Sequence, residues 1–344
     1  MTVMDVETSQ LLTASLRALF GDLEPGSDPR PALAELGWAE VRQAYPEAAT
    51  TLLFAEQGRG LASSALLDDI VLAELALDGS SARRGLLYPT AGEAALPDTA
   101  RADSAHPDGA HPDGAPVRGV LLCSPDVLDE IVIPFGHATP AGAGIRLRAV
   151  AASELAGHAR PLGGFARDSG WFAVEAPAAP SGTDIENVEP WPVALAAGRR
   201  ALAAEIIGVC EAALELVVAH TSARHQYGHP IGTFQSVRHR LAEAHVGIVA
   251  AKEVLSLAGR DDAGAAPARD ALLAKAQAGR AQAVVMRHLL QFFGAMGLSA
   301  EASAHRHVSR AAVLDSLLGN HRMLLARLGQ ELLDGADMSA PVTI

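Results

Sequence analysis

Two short stretches carry the residue types that could do chemistry. The first, Arg224-His225-Gln226-Tyr227-Gly228-His229-Pro230-Ile231-Gly232-Thr233-Phe234-Gln235, sets a guanidinium, amides and an aromatic ring beside a turn-forming glycine. Arginine offers a planar fork of charged donors that matches a phosphate, and glutamine adds neutral donors. The second, Gln291-Phe292-Phe293-Gly294-Ala295-Met296-Gly297, supplies another amide and two glycines that let backbone come close to a ligand. This chemistry suits an anion. The same residues also read as helix punctuation, with Arg224 at a helix C-terminus, Gly228 stopping that helix and Pro230 opening the next turn. Singly they fit punctuation; as ordered sets they fit an anion site.

The remaining reactive residues exclude more than they suggest. There are 13 histidines, with His305 and His307 flanking Arg306 and His321 near the start of the last helical segment. No acidic or thiol partner completes a metal-ligand spacing, so no metal site is expected. His225, His229, His239 and His245 are assigned to polar surfaces or an interface. Cys123 and Cys210 stand alone, which suits a reducing compartment and apolar packing. A net charge of -13 is the wrong sign for a nucleic-acid partner. No apolar run is long enough to span a bilayer, and the opening MTVMDVETSQ is acidic where a secretory leader is basic. The expectation is a cytoplasmic protein with no membrane partner.

These residues need elements to hold them. From about residue 8 to 80 the pattern is helical, with a stripe of Leu11, Leu12, Leu16, Leu19 and Phe20 and a later one around Leu66, Leu67, Ile70 and Leu75. The chain turns between them at Pro25, Gly26, Pro29 and Pro31. From about 85 to 190 short apolar runs at residues 117, 130, 145 and 171 alternate with Gly and Pro, which predicts a small β-domain. Inside it AHPDG is written twice in tandem from Ala105 to Gly114, a composition expected to form an exposed, mobile hairpin loop. After Pro190 the period is helical again, through Leu202, Ile206, Val209, Ala213 and Val217, then Val237, Leu241, Ile248, Ala251 and Leu255. A third segment runs from Pro267 to Phe293, and a fourth carries Val313, Leu317, Leu324, Leu328 and Leu332. The expected fold is mostly α with a small β-domain: N-terminal helices in 1–84, a middle β-barrel or sheet in 85–190, and a four-helix bundle in 191–344.

In order and spacing, the stretch from Arg224 to Gln235 resembles the signature of the acyl-CoA dehydrogenases. The second stretch is similar to that family's Gln-x-x-Gly-Gly-x-Gly, and Arg310 follows where the family carries an arginine. Glu35-Leu36-Gly37-Trp38 and Glu56-Gln57-Gly58-Arg59 resemble its N-terminal helical domain. The resemblance implies α,β-dehydrogenation of an acyl-CoA thioester with hydride transfer to FAD, and an electron-transfer flavoprotein as acceptor. In the family these C-terminal elements reach across a subunit interface to the adenine-diphosphate half of a neighbour's flavin. Carried over, Arg224, Gln226, Tyr227, Gln291 and Gly294 serve a partner's cofactor, and the protein is an oligomer.

The sequence departs from the family where its own chemistry would lie. The catalytic Glu usually stands either before a Gly at the last helix or on the first bundle helix, and the corresponding residues here are Leu318 and Gly198. Asp315 and Glu205 are the nearest carboxylates, each within about two helical turns. There is no Thr-Glu-Pro-x-x-Gly-Ser-Asp and no Trp-Ile-Thr; Leu122, Cys123 and Ser124 stand where the second is expected, and Ala295 replaces a glycine. This split is similar to the heteromeric acyl-CoA dehydrogenases of actinobacterial steroid side-chain degradation, where two unequal chains share a reduced number of sites. It implies a base-less subunit of a heterotetramer, beside a related dehydrogenase subunit. A self-sufficient enzyme with a displaced base and a flavin-free structural paralogue remain as other readings.

Overall fold

The computed structural model describes residues 4–24, 27–77, 82–89, 111–112, 116–139, 142–176, 180–185, 191–259, 267–299 and 302–335. Helices open the chain: α1 (Val6–Asp22), α2 (Arg30–Glu35), α3 (Trp38–Ala44), α4 (Pro46–Arg59) and α5 (Leu66–Glu74). The Asp5 carboxylate accepts the Thr8 N–H at 2.9 Å and starts α1. Leu16 and Phe20 of the expected stripe are buried, but Leu11 is exposed, because only the second half of α1 packs on the core.

The β-domain pairs its strands into two sheets. In chain order they are β1 (Arg84–Leu86), β2 (Tyr88–Pro89), β3 (His111–Pro112), β4 (Val117–Leu121), β5 (Glu130–Thr139) and β6 (Gly142–Ala151), then α6 (Ala152–Ala156), β7 (Ala159–Pro161), β8 (Phe172–Ala176) and β9 (Thr183–Ile185). One sheet runs β1-β5-β6-β9 with β3 also on β5, and the other runs β2-β4-β8-β7. Alternation along β5 puts Ile131, Ile133 and Phe135 inside, against Val117, Leu121 and Val174 of the other sheet. Of the tandem AHPDG repeat, His111 and Pro112 form a strand parallel to β5 and not a loop; the rest lies outside the described residues.

The bundle is centred on α7 (Trp191–Ala223), which is followed by a hairpin of β10 (His225–Gln226) and β11 (His229–Pro230), then α8 (Gln235–Ala258), α9 (Pro267–Phe293), α10 (Ala304–Ser316) and α11 (His321–Leu333). Helix α7 is apolar on nearly every side because α4, α5, α8, α9 and α10 all pack on it. At Gly58 a methyl group would overlap the Glu205 carbonyl, and at Gly208 it would overlap the Ala55 carbonyl. Helices α4 and α7 therefore meet backbone to backbone.

The fourth limb of the bundle differs from the single helix expected. It is broken into α10 and α11, because Leu318 and Gly319 take left-handed φ values of 53° and 98°. Lys275, fully buried on α9, donates to the carbonyls of Asp315 at 3.1 Å and Gly319 at 3.2 Å, which satisfies groups a continuous helix would have paired. Asn320 then caps α11 by accepting the Arg322 and Met323 N–H groups.

Candidate functional site

The signature residues sit where α7 ends. Arg224 donates its backbone N–H to the His220 carbonyl at 2.9 Å, and the chain then reverses in the hairpin. Tyr227 and Gly228 form its turn, with φ of 53° and 80°, and two consecutive left-handed residues are the geometry of a type I′ hairpin. Gly228 thus turns a hairpin and does not stop the helix, which has already ended at Ala223. The Tyr227 ring is 91% exposed and meets Phe234 edge-on at 6.4 Å. His220 stacks on Phe293 at 4.1 Å, so the end of α9 lies beside the end of α7. Gln291 and Gly294 are thereby brought to the same end of the bundle as the hairpin. A side chain on Gly294 would meet nothing within 4 Å. Among the described residues no side-chain hydrogen bond or ion pair engages Arg224, Gln226 or Gln291, and all three are exposed.

The two positions considered for a base meet each other. A Cβ on Gly198 would lie 2.8 Å from Leu318 Cδ1, 3.0 Å from Val71 Cγ2 and 3.9 Å from Leu67 Cδ1. The niche is filled by aliphatic groups, and the Leu318 carbonyl accepts from Arg199 Nε at 3.3 Å. Both nearby carboxylates have partners inside the chain. Glu205 is buried and paired with Arg310, whose Nε donates at 3.1 Å and whose Nη2 reaches the same oxygen. Burial pushes the Glu205 carboxyl up, and Arg310 pulls it back. Arg310 also donates to Ser63 Oγ at 3.2 Å and lies over the Trp171 ring at 5.0 Å, while Ser63 donates to the Ser169 carbonyl at 2.6 Å. Asp315 accepts from His321 at its backbone N–H and at Nδ1, 3.1 and 2.6 Å away, with Lys275 Nζ at 3.8 Å. Burial brings the Lys275 ammonium down to about 8 against the pull of Asp315.

Residues 192–333 match the acyl-CoA dehydrogenase C-terminal domain, from the first turn of α7 to the end of α11. The bundle is similar to an acyl-CoA dehydrogenase C-terminal domain. Acyl-CoA dehydrogenase IpdE2 of Mycobacterium tuberculosis is 36% identical over 132 residues, 38% of this chain and 40% of that protein. The matched segment therefore spans less than half the length of this curated relative. A chain of a Tcur3481–Tcur3483 steroid ACAD variant superposes with TM-score 0.71 at 24% identity, covering 96% of this chain and 99% of that one. A chain of the ChsE4–ChsE5 complex from Mycobacterium tuberculosis gives 0.71 at 20% identity, over 97% and 99%. At such identities the likeness is one of fold: helical layer, β-domain and bundle follow the acyl-CoA dehydrogenase plan along the whole chain.

On the β-domain side of this acyl-CoA dehydrogenase fold, the residues at the expected Trp-Ile-Thr position have local duties. Leu122 is buried, burial pushes the Cys123 thiol up to about 12, and Ser124 accepts the Asp126 N–H to cap a short turn. They border a cleft of about 780 Å³ whose other wall includes Arg30, Asp68 and Asp69. Asp68 was not anticipated from the sequence. It is fully buried, accepts from the Tyr88 hydroxyl at 2.8 Å, and burial pushes its carboxyl up to about 7. An acid inside the apolar run of α5 was the available signal. Among the described residues no group of His, Cys, Asp and Glu could hold a metal ion, and no helix is long and apolar enough to cross a membrane.

Proposed function

We propose that this chain is a subunit of an FAD-dependent acyl-CoA dehydrogenase, completing the flavin site of a related, base-bearing subunit and carrying no base of its own. The contact between Gly198 and Leu318 carries the reading. Dehydrogenation of an acyl-CoA thioester needs a carboxylate to take the α-proton, and a lost base costs about 10²- to 10⁴-fold in rate. Leucine and glycine occupy both positions for that carboxylate, and Glu205 and Asp315 are held by Arg310, His321 and Lys275.

The opposite end of α7 fits the cofactor. Arg224 offers a charged fork, Gln226 and Gln291 neutral amides, Tyr227 an exposed ring and Gly294 an open backbone, a donor set suited to the diphosphate of FAD. When bound, FAD supplies a two-electron acceptor. The residues of this chain would neutralise and orient its diphosphate across the interface. By the same resemblance the substrate is a steroid side-chain acyl-CoA, the assembly a cytoplasmic heterotetramer, and the electron acceptor an electron-transfer flavoprotein.

The test is expression of the chain alone and together with a Glu-bearing acyl-CoA dehydrogenase subunit. Flavin absorbance and acyl-CoA-dependent dye reduction are then measured on each. The chain alone should be colourless and inactive, and the complex should carry one flavin per pair of chains. Stoichiometric flavin with turnover in the chain alone would sink the proposal, and a colourless, inactive complex would leave only a structural paralogue.

A further inference from the structure

In the helical layer and at its border with the β-domain, Arg17 is answered by Glu56 at 2.9 Å, Arg30 by Asp69 at 2.8 Å, Arg59 by Glu215 at 2.7 Å and Arg84 by Glu130 at 2.7 Å. Arg42 and Arg83 are not answered. Among the described residues neither guanidinium has a hydrogen bond or ion pair, and both line the cleft of about 780 Å³ between the two layers. Arg42 comes to it from the last turn of α3, and Arg83 from the residue before β1. Asp28 and Asp69 line the cleft too, but Arg30 holds both, at 3.3 and 2.8 Å. Asp68 is fully buried at its wall, and burial pushes that carboxyl up to about 7, so below neutral pH it adds little negative charge. Part of the wall is apolar, with Leu72 of α5 and Leu122 and Phe172 of the β-domain. The volume and the mixture of apolar wall and few charged groups are those of a small-molecule site.

We infer that this cleft binds an organic carboxylate with an apolar body, its oxygens taken by Arg42 and Arg83 and its body by the apolar part of the wall. Either arginine alone is ordinary, Arg42 as a cation at a helix C-terminus and Arg83 as a solvated surface residue. Two unanswered forks on one cleft, with the neighbouring acids already held, form a recognition set for a planar oxyanion. The apolar wall then selects among oxyanions, because a fully charged inorganic ion gains nothing from it whereas a hydrocarbon body does. The site is made by the helical layer and the β-domain, apart from the bundle end that carries Arg224, so it does not depend on the flavin reading.

The experiment is isothermal titration calorimetry on the full chain at pH 6, with hexanoate, 1-hexanol, inorganic phosphate and hexanoyl-CoA as probes. Hexanoate should bind saturably at one site, and hexanol and phosphate should bind at least roughly tenfold more weakly. Arg42→Gln and Arg83→Gln should each weaken hexanoate binding by roughly tenfold or more. Circular dichroism checks folding, with Arg42→Lys and Arg83→Lys as the milder forms should a glutamine variant not fold. Arg322→Gln, which removes an exposed arginine on α11, should leave hexanoate binding unchanged. Absence of saturable hexanoate binding, phosphate that binds as tightly, or affinity indifferent to both cleft arginines overturns the inference. Hexanoyl-CoA that binds while hexanoate does not overturns it as well, since the cleft would then be a thioester site. No flavin or second chain enters the measurement, so its failure is read separately from that of the cofactor reading.

Discussion

Near its first turns α7 presents Gly198 to Leu318, Val71 and Leu67, and just after its last turn the chain presents Arg224 and Tyr227 to solvent. Around the first region every carboxylate and cation named above finds its partner inside the chain: Glu205 with Arg310, Asp315 with His321 and Lys275. Around the second, the Arg224, Gln226 and Gln291 side chains have no hydrogen-bond or ion-pair partner among the described residues, and the hairpin turn after Arg224 is left-handed at a tyrosine. A polar group whose partner is internal serves the fold. One held outward without a partner is available to a ligand or another chain.

The largest expected effect lies in the closed region. Arg310→Ala leaves the Glu205 carboxylate buried and unpaired, and should cost about 3 to 5 kcal/mol in urea unfolding. Arg224→Ala, by comparison, should cost no more than about 0.5 kcal/mol. Equal losses would erase the contrast between the two regions.

The second effect is a pH dependence, also internal. The Asp68 carboxyl is raised by burial from its ordinary value near 4 to about 7, so in that window the folded chain holds a proton the unfolded chain has lost. Its contribution is complete below about pH 4 and is lost as pH rises towards 7, with a slope of at most about 1.4 kcal/mol per pH unit. Asp68→Asn should flatten that slope in unfolding curves taken from pH 4 to 7; an unchanged slope would place the titration elsewhere.

Smaller effects belong to the open region and appear in flavin retention. In the complex with a base-bearing subunit, loss of a charge-assisted contact worth about 1.5 to 3 kcal/mol makes Arg224→Ala about 10- to 150-fold weaker in holding flavin. The complex itself should keep its size by light scattering. Gln291→Ala should move flavin retention the same way but less, since a neutral donor contributes about 0.5 to 1.5 kcal/mol. Smallest is Tyr227→Asn, which relieves a left-handed tyrosine and should stabilise the isolated chain by about 1 kcal/mol while reducing flavin retention. A destabilised Tyr227→Asn would mean that the ring holds the hairpin through Phe234 and is not kept for a ligand.

The helix, sheet, bundle order was legible because periodicity is a local signal, and the motif spacing at 224–235 and 291–297 marked residues that the fold does bring to one end. Three things were not legible. The break at Leu318–Gly319 depends on Lys275, a distant residue whose ammonium replaces helical donors to two carbonyls. The Glu205–Arg310 pair joins residues on different helices, so the sequence did not show that Glu205 is buried against Arg310. The strand at His111–Pro112 sits in a repeat whose composition favours turns, and its parallel pairing with β5 is a tertiary contact that composition does not report.

The crossing at Gly58 and Gly208 has a bearing on motion. Two helices whose main chains touch cannot slide or roll past one another without a collision, so α4 and α7 turn as one rigid lever. The β-domain meets the helices through side chains instead, among them the Ser63 hydroxyl on the Ser169 carbonyl, the Trp171 ring under Arg310 and the Tyr88 hydroxyl on Asp68, beside a shared apolar core. Slow opening of the molecule should therefore swing the β-domain and spare the crossing. In hydrogen exchange, amides of α4 and the middle of α7 should be the last to exchange and should do so together, with those of β4 and β8 released at lower free energy.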